Sequence, residues 1–392
     1  MSGRPRDALR ARGVWAVALV AGLAALLFAG VRLAVAAHGD VTRFVVAGNV
    51  HVEAATVRPH VHVFASDGYD GQFYWRLATN PSALQPAHYR GVELDSVLRD
   101  SRIAYPTLAW LLSFGQPAWA AWSLVVVNVL ALAGLAAAGA TLARLHGRSV
   151  WWGLVLASSS GLVMAVSRDL NEVTMAAGLV AGAALLSLRR PGWAALCWML
   201  ACLAHEQALL CVLPFAGWCI VSHVRTRTWR PLPTDAPWLV AVAGFGAWQL
   251  FCRAVVGSVP VLASGGASLD VPFVGLVDQV RVWARTGLAR QQYLVVPQLA
   301  LLVVLVIVAL RRARSLPEQQ RWLPWALVAA SALAVALSQQ VWVGPAELRQ
   351  FVVLSTLAWL VILASPRRVP TLLVVATASV WFLTAAARSV AV

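Results

Sequence analysis

The chain has 392 residues, of which 60% are hydrophobic and only 12% are charged, and its mean hydropathy is +0.73. Water-soluble domains keep about a quarter of their residues charged, so this composition excludes a soluble globular protein and predicts an all-α integral membrane protein. The net charge of +15 would suggest a nucleic-acid partner in a soluble protein. In a membrane protein it is first a topology signal, because arginines in the loops set the orientation, and we expect no nucleic-acid partner.

Apolar stretches of helical length recur along the whole chain. A helix needs about 20 apolar residues to cross a hydrocarbon core of about 30 Å, and we predict roughly eleven crossings in a single membrane domain, residues 1–392. The predicted helices cover residues 13–37, 117–143, 150–166, 173–188, 193–204, 208–222, 238–256, 295–310, 323–342, 351–364 and 370–387. The first apolar run is longer than the core of a cleaved signal peptide, so it is predicted to remain as the first helix. The five cysteines all fall in apolar stretches, which is typical of packing residues.

The distribution of arginine predicts which ends of the helices face the cytoplasm. Over half of the 31 Lys and Arg residues lie at the N-terminus and in alternate loops, namely Arg4, Arg6, Arg10, Arg12, Arg144, Arg148, Arg189, Arg190, Arg225, Arg227, Arg230, Arg311, Arg312, Arg314, Arg321, Arg367 and Arg368. The positive-inside rule then predicts a multi-pass protein of a bacterial inner membrane, with a cytoplasmic N-terminus and an extracytoplasmic C-terminus. All but Asp7, Asp235 and Glu318 of the 16 carboxylates lie on the opposite side, where we expect any chemistry.

The apolar segment Trp193–Val221 is interrupted by His205, Glu206 and Gln207. An ionisable pair at the middle of the bilayer would be costly. Arginines flank the segment at both ends, so both flanks are predicted to be cytoplasmic. The segment is therefore predicted to form two short helices that meet at the outer surface.

Two outer loops are long enough to fold on the membrane surface, residues 38–116 and 257–294. The first contains the apolar stretch Ile103–Leu112, which is too short to cross and predicts an interfacial or re-entrant helix. In the second, Arg281 and Arg285 recur at near-helical spacing, which is typical of an amphipathic helix that contacts lipid headgroups.

The densest polar and aromatic cluster is Ser66–Ala78, in the first outer loop. Its carboxylates Asp67 and Asp70 are each followed by glycine, which lets the backbone turn sharply and present both acids to one point. One interpretation is a ligand or general-base site. The other is an Asx-type turn in front of a surface helix, and the residues alone leave both open.

Within this cluster, Tyr69-Asp70-Gly71-Gln72-Phe73-Tyr74 resembles the signature of GT-C-type membrane glycosyltransferases and of bacterial membrane proteins with a Y-D-G-Q-aromatic string. The resemblance implies many helices that support a catalytic aspartate in the first outer loop, and a polyprenyl-phosphate-linked sugar as donor. By that resemblance Asp70 is the base. A weaker similarity extends through Arg168–Glu172 to His205 and Glu206, although His205 stands where an arginine would be expected.

The chemistry of such a transfer matches the residue types present. A lipid phosphate leaves as a stable anion, so one carboxylate to accept the acceptor's proton and cations to hold the phosphate suffice. Asp70 is assigned the first role, with Asp67 as second choice, and the cations are Arg168, Arg349 and His205. The other predicted substrate-binding residues are Tyr69, Gln72, Tyr74, Arg76, Asp169, Glu172 and Glu206. We expect these clusters to meet in one outer cavity, and the sequence indicates neither a cofactor nor a metal site.

Three alternatives remain beside this hypothesis. Arg168 with Asp169 or Glu172 would also make an ordinary structural ion pair. A transporter or flippase for lipids or lipid-linked sugars would explain many helices and the interruption at His205, but the predicted helix centres are otherwise nearly apolar apart from Asn128 and Gln249. A non-enzymatic scaffold requires only that the outer loop bind a partner.

Overall fold

The computed structural model describes residues 4–84, 88–227, 230, 232–263 and 269–391. The described strands β1 (Ala47–Gly48) and β2 (Val63–Phe64) form a short parallel ladder, and the rest of the regular structure is helical. The α-helices are α1 (Arg4–Val35), α2 (Gly71–Thr79), α3 (Ala104–Leu112), α4 (Ala120–Leu145), α5 (Gly153–Ala157), α6 (Ser160–Ser167), α7 (Glu172–Ser187), α8 (Pro191–Ala204), α9 (Leu209–Thr226), α10 (Ala236–Val256), α11 (Pro260–Ala263), α12 (Val274–Thr286), α13 (Val295–Ala313), α14 (Leu323–Val335), α15 (Val352–Ala364) and α16 (Thr371–Val390).

Seven helical segments of the described chain are long and apolar enough to cross a membrane, or eight if α5 and α6 form one bent span. They are Arg12–Val35, Pro117–Leu145, Glu206–Thr226, Pro233–Val256, Val295–Ala313, Glu347–Ala364 and Thr371–Val390. The apolar helices α7, α8 and α14 have only 16, 14 and 13 residues, against about 20 for a full crossing. The all-α membrane class is therefore supported, whereas the predicted count of eleven crossings is not confirmed.

Each predicted helical stretch contains a helix, but the stretch 150–166 is broken. The axes of α5 and α6 differ by 60°. At the break, the hydroxyl of Ser158 donates to the carbonyl of Leu154 (2.7 Å), and Ser159 adopts an extended backbone. A serine that bonds to the carbonyl four residues earlier tends to bend a helix, so the bend has a local cause.

The stretch 323–342 contains a shorter helix than predicted, because α14 ends at Val335. The backbone N–H groups of Asp270 and Phe273 donate to the carbonyls of Ala336 (2.8 Å) and Val335 (2.6 Å). In a continuing helix these carbonyls would accept from the next turn. A distant loop therefore terminates α14.

The helix ends gather on two opposite faces. At one of them Arg148 donates to the carbonyls of Leu363 (2.8 Å) and Arg367 (2.7 Å), and Arg312 donates to the carbonyl of Arg368 (2.6 Å). The arginine-rich connections α4–α5, α7–α8, α9–α10, α13–α14 and α15–α16 meet there, and we call it the basic face. The opposite end carries both long loops, and we call it the loop face.

The segment Trp193–Val221 forms two helices, as predicted. A 3-10 turn at Glu206–Ala208 separates α8 from α9. The ring centroids of Trp198 and Phe215 lie 5.0 Å apart, so the two helices fold back on each other. This turn, together with His205 in front of it, lies at the loop face.

The first long loop folds into a layer on the loop face. Every residue of α2 is buried, and the fully buried Arg76 donates to the carbonyls of Ala83 (2.7 Å) and Val92 (2.8 Å). The predicted interfacial or re-entrant stretch forms α3, which is followed by the exposed Phe114. Arg76 thus ties α2 to the loop that covers it.

At the centre of the bundle lies α15, in which every residue except Ser355 is buried. A helix that is apolar on all sides is stable in such a core. By contrast, only 28% and 22% of the apolar windows of α13 and α16 are buried. Four of the five free cysteines are buried, in agreement with their predicted packing role.

Candidate functional site

The turn in front of α2 requires glycine at two positions. Gly68 has a φ of +73°, in the left-handed region that favours glycine. A Cβ atom on Gly71 would lie only 2.4 Å from the carbonyl oxygen of Arg168. Gly68 therefore allows the turn to form, and Gly71 allows it to pack directly against the end of α6.

The side chain of Gln72 fixes the shape of this turn. Its Oε1 accepts from the backbone N–H of Gly48 (2.9 Å), and its Nε2 donates to the carbonyl of Asp67 (3.0 Å). Asp70 precedes the first residue of α2, yet its carboxylate makes no capping bond to the helix. The acid is thus held in place by the backbone and is available for other partners.

Three arginines surround the carboxylate of Asp70. Its Oδ2 lies 2.7 Å from Nη1 of Arg99, 2.8 Å from Nη2 of Arg349 and 3.8 Å from Nη1 of Arg102. The Asp70 side chain is only 9% exposed. Burial alone would raise its pKa, but the three guanidinium groups outweigh burial and hold the pKa of this carboxyl well below its usual range.

Each of these arginines also binds a second carboxylate. Glu206 accepts two bonds from Arg102, at 2.6 and 2.9 Å, the fork-to-fork geometry of strong ion pairs. Arg99 binds both oxygens of Asp95 at 2.8 Å. Arg349 donates to Glu172 at 2.8 Å, and this network joins the first loop to α7, to the turn before α9 and to the segment before α15.

Tyr69 connects Arg168 to the same cluster. The guanidinium carbons of Arg168 and Arg349 lie 4.3 and 4.8 Å from the centroid of its ring, within the range of cation–π attraction. Its hydroxyl donates to Glu347 (2.8 Å) and accepts from Nε of Arg349 (2.9 Å). Arg168 and Glu172, from the same predicted segment, therefore reach the cluster through different partners.

Tyr74 and His205 lie at the Arg102 side of the cluster. The Tyr74 hydroxyl accepts from Nη1 of Arg102 (3.3 Å), and burial raises the pKa of this phenol to about 12. Nδ1 of His205 accepts from the backbone N–H of Gln207 and lies 3.5 Å from Oε2 of Glu206. Burial, reinforced by Arg102, lowers the pKa of His205 to about 3. His205 is therefore neutral near pH 7 and supplies no positive charge.

Four of the predicted site residues lie outside this cluster, and one of them is Gln72, which binds the backbone of Gly48 and of the turn. Asp67 is exposed, on the outer side of the turn. Arg76 binds loop carbonyls, as described above, and its guanidinium donates to the backbone of residues 83, 84 and 92 instead of to the cluster. Asp169 is fully buried, and its carboxyl interacts electrostatically with Arg32 of α1. The three predicted segments thus meet as expected, but only some residues of each take part in the contacts. These segments are Asp67–Arg76, Arg168–Glu172 and His205-Glu206.

Sequence analysis missed Arg99 and Arg102, which make two of the three contacts with Asp70. Arg99 lies within a short 3-10 helix, Val97–Ser101, and Arg102 directly follows it; residues three apart in such a helix lie on one side. Their signal was available: two arginines at this spacing stand directly before an apolar stretch, in the first outer loop. When the carboxylate partner of these arginines is not known, the same pattern is typical of an ordinary solvated turn.

The arrangement combines a buried anion with cations that face it, on one face of a membrane protein. The arginines of such a cluster can bind an anionic group, and Asp70 can donate or accept a proton beside it. Among the described residues, no group of three or more His, Cys, Asp or Glu side chains is placed to hold a metal ion. Comparison with protein-family models, with characterised proteins and with solved structures gives no match.

Proposed function

We propose that this chain is a GT-C-type membrane glycosyltransferase of a bacterial inner membrane. It would transfer a sugar, with inversion, from a polyprenyl-phosphate donor to an acceptor hydroxyl at the extracytoplasmic face. The observation that carries this proposal is the contact of Asp70 with Arg99 (2.7 Å) and Arg349 (2.8 Å) at the loop face. One carboxylate and a set of cations at one point are the two components that the transfer needs.

The arginines are assigned to the phosphate of the donor. Charge develops on that phosphate as the bond to the sugar breaks, and preorganised guanidinium groups stabilise it. Arg99 and Arg349 are the best placed, since each lies within hydrogen-bonding distance of the Asp70 oxygen that a phosphate oxygen would replace. Arg168, which lies against the ring of Tyr69, extends this positive surface toward α6.

Asp70 is assigned the role of general base. In the free protein its three ion pairs make it a weak base, because its pKa is depressed. A phosphate that takes over bonds from Arg99 and Arg349 adds negative charge beside Asp70, which raises the pKa of the carboxyl. Donor binding would thus create the base that the acceptor hydroxyl requires.

The transporter hypothesis has one specific observation in its favour. The break between α5 and α6 borders a cavity of about 50 Å³ lined in part by Ser159, Gln298, Ser355 and Thr377, and transporters often place their sites at broken helices. However, the lining of this cavity includes no charged side chain. The charges cluster at the loop face instead, which favours a transferase.

The test is sugar transfer from a polyprenyl-phosphate donor in membranes that contain the protein. Asp70→Asn preserves shape but cannot accept the proton, and we expect transfer to fall about 10²–10⁴-fold. Asp67→Asn is the matched control, because Asp67 is an exposed acid of the same turn, and its variant should retain full transfer.

Three results would contradict the proposal or change its assignment. Full activity of Asp70→Asn together with loss in Asp67→Asn would move the base three residues upstream. No effect of either substitution would remove the carboxylates from the chemistry. Movement of a lipid-linked sugar across the bilayer without transfer would favour the transporter.

A further inference from the structure

A second cavity lies at the basic face, at the opposite end of the molecule from Asp70. Its volume is about 550 Å³, within the range of about 300–1,000 Å³ that small-molecule sites occupy. It lies between the ends of α4, α7 and α15 and the beginnings of α8 and α14. None of its lining residues belongs to the Asp70 cluster.

The inner wall of this cavity is aromatic and rigid. Phe215, Trp218 and Trp322 line it. The ring centroids of Phe215 and Trp322 lie 5.3 Å apart at 83°, and those of Phe215 and Trp218 lie 5.9 Å apart. Behind them, the buried Trp198 packs edge-on against Phe215 and Trp322 and donates to the carbonyl of Leu179 (3.1 Å). The wall is therefore preformed for an apolar chain rather than assembled around one.

The polar part of the lining is basic or neutral. Arg189 is exposed at the end of α7. Nε2 of Gln320 lies 2.9 Å from Nε2 of His146, and the buried Oε1 of Gln320 has no hydrogen-bond partner within the described residues. No carboxylate lines the cavity.

The surroundings extend this positive charge. The helix ends and connections of the basic face carry 13 of the 31 basic residues, whereas the nearby acids are Asp235, which is buried against His223 (2.8 Å), and the exposed Glu318. A ligand at this position therefore meets an excess of arginine over carboxylate at the rim and an apolar aromatic wall inside. That combination matches a lipid with an anionic headgroup, since basic pockets between membrane helices recognise such headgroups.

We propose that this cavity binds one anionic glycerophospholipid from the membrane leaflet at the basic face. An acyl chain would lie along Phe215, Trp218 and Trp322, and the phosphate would lie at Arg189. A zwitterionic lipid offers the same chains without the net negative charge, so it should bind more weakly. This site is independent of the transferase proposal and requires no activity at Asp70.

The test uses the full chain in phosphatidylcholine nanodiscs that contain a small fraction of phosphatidylglycerol with a photoreactive acyl chain. Cross-links should map to the peptides that contain Trp218 and Trp322, and the same label on phosphatidylcholine should give several-fold fewer. Arg189→Gln should reduce labelling by phosphatidylglycerol about fivefold, the effect of one basic residue near an anionic headgroup. Arg225→Gln is the matched control, an exposed arginine of the same face that does not line the cavity, and should leave labelling unchanged.

A second variant tests the cavity itself. Ala183 lines it, and Ala183→Phe fills it without a change of charge, so labelling should be lost while other lipid contacts persist. Equal labelling by the zwitterionic probe would overturn the proposal. So would an equal loss in Arg189→Gln and Arg225→Gln, which would reflect surface charge in general. Displacement of the label by polyprenyl phosphate but not by unlabelled phosphatidylglycerol would assign the cavity to a different lipid.

Discussion

Replacing Asp70 by asparagine should destabilise the protein as well as slow the transfer. The Asp70 carboxylate is the shared partner of Arg99, Arg102 and Arg349. The substitution keeps the volume of the side chain but removes its charge. The three guanidinium groups then face a neutral amide, so part of their positive charge is no longer compensated.

The size of this effect follows from the partners that remain. Breaking a fully isolated buried ion pair costs about 3–5 kcal/mol, because the remaining charge has no counterion. Here each arginine keeps a second carboxylate as its partner. For example, Arg99 lies 2.8 Å from Asp95 and Arg102 lies 2.6 Å from Glu206. We therefore expect a smaller loss in the free energy of unfolding, about 1–3 kcal/mol, typical of one buried hydrogen-bonding partner removed.

The assay is unfolding of the purified protein in mixed micelles with increasing denaturing detergent, followed by tryptophan fluorescence. Asp67→Asn serves as the control, since an exposed acid of the same turn should change stability by less than about 0.5 kcal/mol. Equal midpoints for the two variants would refute the idea that Asp70 is a structural counterion for the three arginines.

The pH dependence gives the same prediction an independent check. An unfolded aspartate titrates near pH 3.9, and the pKa of Asp70 in the folded protein is lower. Its stabilisation is therefore fully present above about pH 4 and is lost as the pH falls from there through the folded pKa. The difference in stability between wild type and Asp70→Asn should be constant near neutral pH and shrink below pH 4. A difference that grew on acidification would mean that Asp70 is protonated in the folded state.

Two further predictions concern packing and orientation. Gly71→Ala places a Cβ 2.4 Å from the carbonyl oxygen of Arg168 and should lower the free energy of unfolding by about 1–3 kcal/mol. Gly217→Ala is the control, because the space around Gly217 is open, and it should not lower the free energy of unfolding. Equal stability of the two variants would disprove the close contact. Reporters fused after Arg190 and Arg314 should read cytoplasmic and one at the C-terminus should read external, and an external signal at Arg190 would disprove the proposed orientation of the basic face.

Local patterns in the sequence were sufficient to predict where most of the helices form. Apolar runs and their arginine-rich flanks predict where helices form, because hydrophobic length and loop charge act on each segment separately. They also predict the hairpin at His205. They do not predict the end of α14, since the backbone N–H groups of Asp270 and Phe273 that stop it come from a distant loop. The number of crossings depends on the same kind of long-range packing.

The candidate site shows a similar division between local and long-range information. The spacing of Asp67 and Asp70 and the glycines after them identified the turn but left two acids equivalent. The structure separates them, because Asp70 is buried among arginines while Asp67 is exposed. Arg76, which has the same side chain as Arg99 and lies nearer to Asp70 in the chain, instead binds the carbonyls of its own loop.

By itself, the sequence determined the membrane class and the positions of most of the apolar helices. Each of these follows from composition within a short window. Only the tertiary structure decided that Arg99, Arg102 and Arg349 converge on one oxygen of Asp70. The energy of a buried ion pair depends on the distance between its charges and on their removal from water. Asp70 and Arg349 are 279 positions apart in the chain, so both quantities are set by how the helices pack.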